Sequence, residues 1–429
     1  EVSENRPRET QTSTASTSPS PSPSRPLGAI VLLAPARDCV FEFGQIYRVC
    51  LLQNAIRSVD VHLNAHYGPY PVYVVMPSDP EEASSASSAA AAAAATTTTT
   101  GGVNVTTSSR YEPENCVRNL DCCRVDRPYS TSDREELRRG LNNTDVHFVE
   151  VPMYGGEALE PGFTPEKFEQ WRRGKEGAVE GFRNVGYLSM CRLYSGRLQR
   201  MNFLSEYKYY MRMDDDSLLV DAMPFDPFRE MERENLSYAF KRVLSDRWGI
   251  GKMWEITQRR MSREQLDNMA GMGFVNKVDK KGKPPMRVNV TGKTRSVVMI
   301  RRFDEREGGR NGGAGKGKGK GEEWSYGGLQ PYNNFHVSRV SLWYDPRWLE
   351  WENDADRIHG FTKYHWGDAN VHAMALGLLL RREEVEMWPD VPYMHNTNDF
   401  GRGEYPKPEW RGRCRFHRNS SSTLGRGTK

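Results

Sequence analysis

Apolar residues along this chain fall into short unbroken runs separated by long polar tracts. Ala29-Ile30-Val31-Leu32-Leu33-Ala34 is the first such run and Pro71-Val72-Tyr73-Val74-Val75-Met76 the second. Runs of this length predict strands buried on both faces. Between them, Ile46, Val49, Cys50, Ile56, Val59 and Val61 are among the apolar positions of a predicted helix over about residues 43–63. Strand, helix, strand is the opening of a nucleotide-binding α/β fold. A third apolar run over residues 146–151, a helix near 165–173 and a helix over 368–380 continue the alternation.

The polar tracts divide the chain. Residues 1–26 are rich in Ser, Thr and Pro, a composition that suits a disordered stem or a terminus with no role. From about 78 to 142 the pattern dissolves into Ser, Ala and Thr runs and mixed charges, and the Ala run has no amphipathic face to bury. A second insertion covers about 277–323. Its Gly/Lys tract, with Gly312, Gly317 and Lys318, superficially matches a phosphate-binding loop. That loop needs Ser or Thr after the Lys, and Gly319 stands there, so the tract reads as a flexible basic loop. One catalytic-sized domain over 27–411, with a flexible tail over 412–429, remains.

Composition narrows the picture further. With 429 residues, 37% hydrophobic and 10% aromatic, the chain can bury a sizeable core. A mean hydropathy of −0.73 reflects the polar inserts. A net charge of +4 is too small at this length to predict nucleic-acid binding or a membrane-surface patch. No apolar stretch is long enough to span a bilayer. The chain begins at Glu1, which is compatible with removal of a leader or anchor. Seven cysteines (Cys39, Cys50, Cys116, Cys122, Cys123, Cys191 and Cys414) lack zinc-site spacing. Together with the sequons at Asn104, Asn142, Asn235, Asn289 and Asn419 they favour a lumenal protein.

The chemistry concentrates in Tyr207-Lys208-Tyr209-Tyr210-Met211-Arg212-Met213-Asp214-Asp215-Asp216-Ser217, an aromatic strand that ends in three carboxylates. Strand alternation would project Asp214 and Asp216 together and turn Asp215 away. Carboxylates stacked at the end of a core strand repel one another and lose solvation, so a cation belongs beside them. Two readings fit the acids alone. One is a divalent metal carrying a nucleotide-sugar diphosphate; the other is a solvated strand-to-turn junction, since Asp favours turns.

Three blocks in order decide between them. Tyr209-Tyr210-Met211-Arg212-Met213-Asp214-Asp215-Asp216 resembles the Tyr-Tyr-Trp-Arg-Val-Glu-Pro-Asp signature of the fungal Golgi α-1,2-mannosyltransferases, the glycolipid 2-α-mannosyltransferase family. Tyr187 and Met190-Cys191-Arg192-Leu193-Tyr194-Ser195-Gly196 resemble the family's Tyr-x-x-Met-Cys-Arg-Phe-x-Ser-Gly. Tyr364-His365-Trp366-Gly367-Asp368-Ala369-Asn370-Val371-His372 is similar to its Tyr-Glu-Arg-Trp-Gly-Asp-Ala-Pro-Val-His.

The resemblance implies a GT-A-type α/β fold with a mixed central sheet flanked by helices. It also implies retaining transfer of mannose from GDP-mannose to a mannose-terminated glycan of a glycoprotein or glycolipid, by a type II membrane protein of the Golgi lumen. A related enzyme with another donor or linkage, and an inactive glycan-binding homologue, are the alternatives. Hard oxygen ligands suit Mg²⁺ or Mn²⁺, and an added imidazole shifts the preference to Mn²⁺. The family's motifs place the metal on Asp214, Asp216 and His372, and the nucleotide against Arg37, Arg212, Asp214 and Asp216. Asp368 is expected to orient His372 or bind the acceptor, and Tyr187 to lie near the reacting sugar. His336, in Asn333-Asn334-Phe335-His336, stands where the family has a Glu regarded as the candidate nucleophile. Imidazole is a poor partner for a glycosyl adduct, so same-face attack is the expected route, with the departing phosphate taking the acceptor proton. Asp214-Asp215-Asp216 in place of Glu-Pro-Asp, and Tyr393-Met394-His395-Asn396 in place of Tyr-Tyr-His-Pro, are further departures.

Overall fold

The computed structural model describes residues 26–34, 40–41, 46–77, 129–151, 159–178, 185–246, 249–278 and 323–395. The chain opens with β1 (Gly28–Leu33), the short pair β2 (Val40–Phe41) and β3 (Ile46–Tyr47), the helix Arg48–Val59 and β4 (Val72–Pro77). After the helix Thr131–Arg138 come β5 (Val146–Val151), the helices Pro165–Arg172 and Val185–Arg192, β6 (Tyr209–Met213) and β7 (Ser217–Leu219). Next are β8 (Tyr238–Phe240), β9 (Val243–Ser245), the helices Ile250–Gln258 and Arg263–Gly271, and β10 (Val275–Val278). The last part supplies β11 (Glu323–Tyr326), β12 (Leu329–Pro331), β13 (Phe335–Arg339), the helices Pro346–Arg357 and Asp368–Leu379, β14 (Val385–Met387) and β15 (Tyr393–His395).

Among the described residues, seven strands form the central sheet in the order β14-β8-β13-β6-β1-β4-β5. β1 runs parallel to β4 and β6, and β4 to β5, while β13 is antiparallel to both β6 and β8. The sheet is therefore mixed. Its central parallel strands are the unbroken apolar runs of the sequence, because helices cover both of their faces. Alternation along β6 and β13 separates two cores. Tyr209, Met211, Met213, Phe335 and Val337 enter one, with the helix Arg48–Val59. On the other face, Tyr210, Arg212, His336 and Ser338 form a polar seam beneath the almost wholly buried helix Asp368–Leu379.

Trp366 fixes where that helix begins. Its indole Nε1–H donates to the Gly249 carbonyl at 2.9 Å. Gly249 has φ +66°, and a Cβ there would lie 2.0 Å from the Tyr364 carbonyl oxygen, so this close approach requires glycine.

Some boundaries differ from the sequence expectation. Residues 46–47 pair as strand β3, and the helix starts at Arg48. It ends through a wider turn at Asp60–Asn64, where the buried Asp60 carboxylate accepts the Asn143 N–H at 2.7 Å. Tyr129 and Leu137 are buried in the core, so the last part of the stretch expected as an insertion, residues 129–142, packs with the domain. Arg37, the stem, the Gly/Lys tract and the tail lie outside the described residues. Among the described residues no helix is long and apolar enough to cross a membrane.

Candidate functional site

β6 delivers its acids at the carboxyl end of a central parallel strand, where ligands of open α/β sheets gather. The chain turns immediately: Ser217 N–H donates to the Asp214 carbonyl at 3.2 Å, and Ser217 Oγ reaches the same oxygen at 2.6 Å. The turn, rather than strand alternation, brings Asp214 and Asp216 together. β7 then pairs with β15 so that His395 lies opposite Ser217. His395 Nε2 comes within 3.0 Å of Asp216 Oδ1 and 3.5 Å of Asp214 Oδ2. One ligand atom from each of Asp214, Asp216 and His395 lies within 4.8 Å of the others.

Electrostatics mark this group as a cation site. Burial opposes a charge on His395, yet Asp216 and Asp214 outweigh it and hold the imidazole well above its ordinary range. Burial likewise opposes ionisation of Asp214, but Arg212 and His395 hold its carboxyl below the usual range. Two carboxylate oxygens and one imidazole nitrogen are a donor set suited to Mn²⁺, so the residues fit the metal. The Asn334 side-chain amide donates to Asp214 Oδ2 and stands 3.2 Å from His395 Nε2.

Arg212 has a different place from the expected one. It is 3% exposed, with its guanidinium 3.7 Å from the centre of the Tyr194 ring. Nε and Nη2 bond Asp214 Oδ1 at 3.1 and 2.9 Å, and Nη1 bonds Asp368 Oδ2. Burial disfavours its charge, but the two carboxylates outweigh that and raise its pKa. Arg212 thus holds Asp214 and ties it to Asp368. Asp368, the first residue of its helix, also accepts from Asn333 Nδ2 at 2.9 Å.

His372 and His336 require correction. The expected nitrogen ligand, His372, is fully buried and uses both nitrogens elsewhere. Its Nε2–H donates to the Tyr194 carbonyl at 2.9 Å, and Nδ1 accepts from the Tyr238 hydroxyl at 2.8 Å. Burial pushes it down to about 4, so it is a neutral packing residue. His395 takes its place in the acidic group, and Asp368 bonds Arg212 and Asn333 instead of orienting His372. His336 is also fully buried. Its Nδ1–H donates to the Asn333 carbonyl at 2.7 Å, and Nε2 accepts from the Tyr210 hydroxyl at 2.6 Å. Burial, then His372 and Arg212, depress its pKa well below the ordinary range. Stacked on Tyr238 at 5.1 Å between ring centres, it offers the reacting sugar no nitrogen. Tyr187 sits half-buried in the first turn of the helix Val185–Arg192, packed against the same core.

The sequence pattern of the family described as Glycolipid 2-alpha-mannosyltransferase matches residues 123–421. The chain belongs to this family. The matched stretch includes every residue of the acidic group, together with Arg212, Asn334 and Asp368. Family relatives include Glycolipid 2-alpha-mannosyltransferase 1 of Candida albicans, 26% identical over 212 residues, which are 49% of this chain and 39% of the relative. The Saccharomyces cerevisiae glycolipid 2-alpha-mannosyltransferase is 25% identical over 216 residues, 50% of this chain and 39% of that protein. The matches therefore span about two fifths of these relatives' lengths.

Core-mannan synthase A from Aspergillus fumigatus, solved in a Mn/GDP form, superposes with a TM-score of 0.54 at 18% identity, over 87% of this chain and 75% of that one. The Saccharomyces cerevisiae mannosyltransferase Ktr4p in complex with GDP gives a TM-score of 0.52 at 15% identity, covering 86% and 71%. These likenesses establish the GT-A-type fold of this family member.

Proposed function

We propose that this chain is a metal-dependent, retaining α-1,2-mannosyltransferase that moves mannose from GDP-mannose to a mannose-terminated glycan of a glycoprotein or glycolipid. The observation that carries this reading is the convergence of Asp214, Asp216 and His395 at the end of β6. Family membership supports mannosyl transfer, and the Mn/GDP and GDP forms of the two solved proteins support the metal and the nucleotide. Bound there, Mn²⁺ supplies positive charge against a departing diphosphate.

The chain's own residues do the holding. Asp214 and Asp216 offer oxygens, and His395 offers Nε2. Arg212 keeps Asp214 ionised, and the Asn334 amide fixes one of its oxygens. We assign Asp368 and Tyr187 to the acceptor side, as the family motifs imply. With His336 neutral and bonded at both nitrogens, retention is assigned to same-face attack, the acceptor proton leaving on the departing phosphate. Cys50 is disulfide-bonded, which supports an oxidising compartment, and this reading places the protein in the Golgi lumen as a type II membrane protein.

The test is incubation with GDP-mannose and methyl α-mannoside, with Mn²⁺ and then with excess chelator. The expected result is a chelator-sensitive disaccharide, α-configured and linked at O2 by NMR. Donor binding without transfer to this or longer mannosides would favour an inactive glycan-binding homologue, a reading to which the buried His336 lends support. Absence of donor binding would overturn the proposal.

A further inference from the structure

We propose that Tyr332 is the residue that aims the His395 imidazole, and that its hydroxyl thereby sets both the affinity and the choice of metal at the acidic group. This rests on the metal-site reading above. Tyr332 is 4% exposed and lies between β12 and β13. Its hydroxyl is hydrogen-bonded to His395 Nδ1. The other nitrogen, Nε2, is the one that faces Asp216 and Asp214, at 3.0 and 3.5 Å. Whichever cation sits among the acids, proton or metal, Nδ1 keeps its hydrogen and donates it to the Tyr332 oxygen. Fixing the outer N–H of a histidine ligand sets its ring orientation and tautomer and raises its basicity. A carboxylate or a backbone carbonyl usually does this; here a phenol occupies the position.

Tyr332 is itself held on two sides. Its N–H donates to the Arg242 carbonyl at 2.7 Å, extending the β9–β12 pairing. The Arg242 guanidinium lies 4.3 Å from the centre of the Tyr332 ring. The Tyr332 and His395 rings meet edge-on, 5.7 Å between centres at 73°. His395, on β15 paired with β7, and Tyr332, just after β12 paired with β9, thus arrive from two different strand pairs and meet at this hydrogen bond. Rotation of an imidazole about its last torsion is broad, so loss of this bond lets Nε2 swing off the acids.

The consequence differs between metals. Imidazole nitrogen favours Mn²⁺, whereas Mg²⁺ relies on oxygen ligands and retained water. A misaimed His395 therefore penalises Mn²⁺ more than Mg²⁺.

The experiment is calorimetric titration of the full chain with MnCl₂ and MgCl₂ in the absence of nucleotide. Tyr332→Phe is expected to lower Mn²⁺ affinity by about 10–100-fold and to shrink the Mn²⁺/Mg²⁺ preference. That ratio, taken on one sample, does not depend on how much of the variant is folded. Tyr70→Phe, which removes a hydroxyl bonded at 2.7 Å to Asp226 instead of to His395, is expected to change neither affinity. If Tyr332→Phe keeps wild-type affinity and preference while His395→Ala loses them, the inference is overturned and the metal site stands. If His395→Ala also binds Mn²⁺ as the wild type does, the metal-site reading falls first.

Discussion

His395→Ala is expected to lower Mn²⁺ affinity by about 100-fold or more and to abolish metal-dependent binding of GDP-mannose. The imidazole is one of the three convergent ligands, and its removal leaves the buried Asp216 and the half-buried Asp214 without it. His372→Ala should behave in the opposite way. Cutting a fully buried ring out of its bonds to the Tyr194 carbonyl and the Tyr238 hydroxyl is expected to cost about 2–5 kcal/mol of stability. Folded His372→Ala molecules should still bind Mn²⁺ with near wild-type affinity. Denaturant melts in chelator, paired with metal titration, separate the two effects. Metal loss in His372→Ala at unchanged stability would return that histidine to the ligand set and refute the assignment of His395.

The second large effect falls on Arg212. Arg212→Met leaves the buried Asp368 and the half-buried Asp214 without their shared cation, and breaking the buried Arg212–Asp368 pair by removing one partner costs about 3–5 kcal/mol. The side chain also loses its stacking on Tyr194. Adding Asp368→Asn removes one of the stranded charges, so the double variant should recover part of the loss in a urea melt. Equal stability of Arg212→Met and wild type would mean that the guanidinium is not the device that holds the two acids.

Much of the fold was legible because its centre is apolar. β1 and β4 are unbroken hydrophobic runs, and strands covered on both faces admit little else. The helix from Asp368 was legible from its length and its Gly367-Asp368 start. The acidic turn stood out as three consecutive carboxylates after an aromatic strand, although the reason for its geometry lay in the Ser217 bonds to the Asp214 carbonyl and not in the pleat.

The third ligand was hidden for a physical reason. His395 sits on a three-residue strand, and only pairing with β7 brings it opposite Ser217. Nothing local in Tyr393-Met394-His395 announces that contact beyond its partial likeness to the family's Tyr-Tyr-His-Pro. His372, by contrast, lies in a strong motif, but a motif does not tell which way a helix face points. The same holds for His336. Its antiparallel pairing with Arg212 puts both on the face that packs beneath the buried helix, so that face is filled by side chains before any sugar could approach. Arg212 was expected at the nucleotide from the family's motif; its bond to Asp368 depends on a helix far along the chain.

The most direct measurement is anomalous diffraction at the manganese edge from crystals grown with Mn²⁺ and GDP. The expected result is a single strong peak bonded by Asp214 and Asp216 oxygens and His395 Nε2, with the diphosphate completing its coordination. A peak away from His395, or none with GDP bound, would contradict the site on which this account of the chemistry depends.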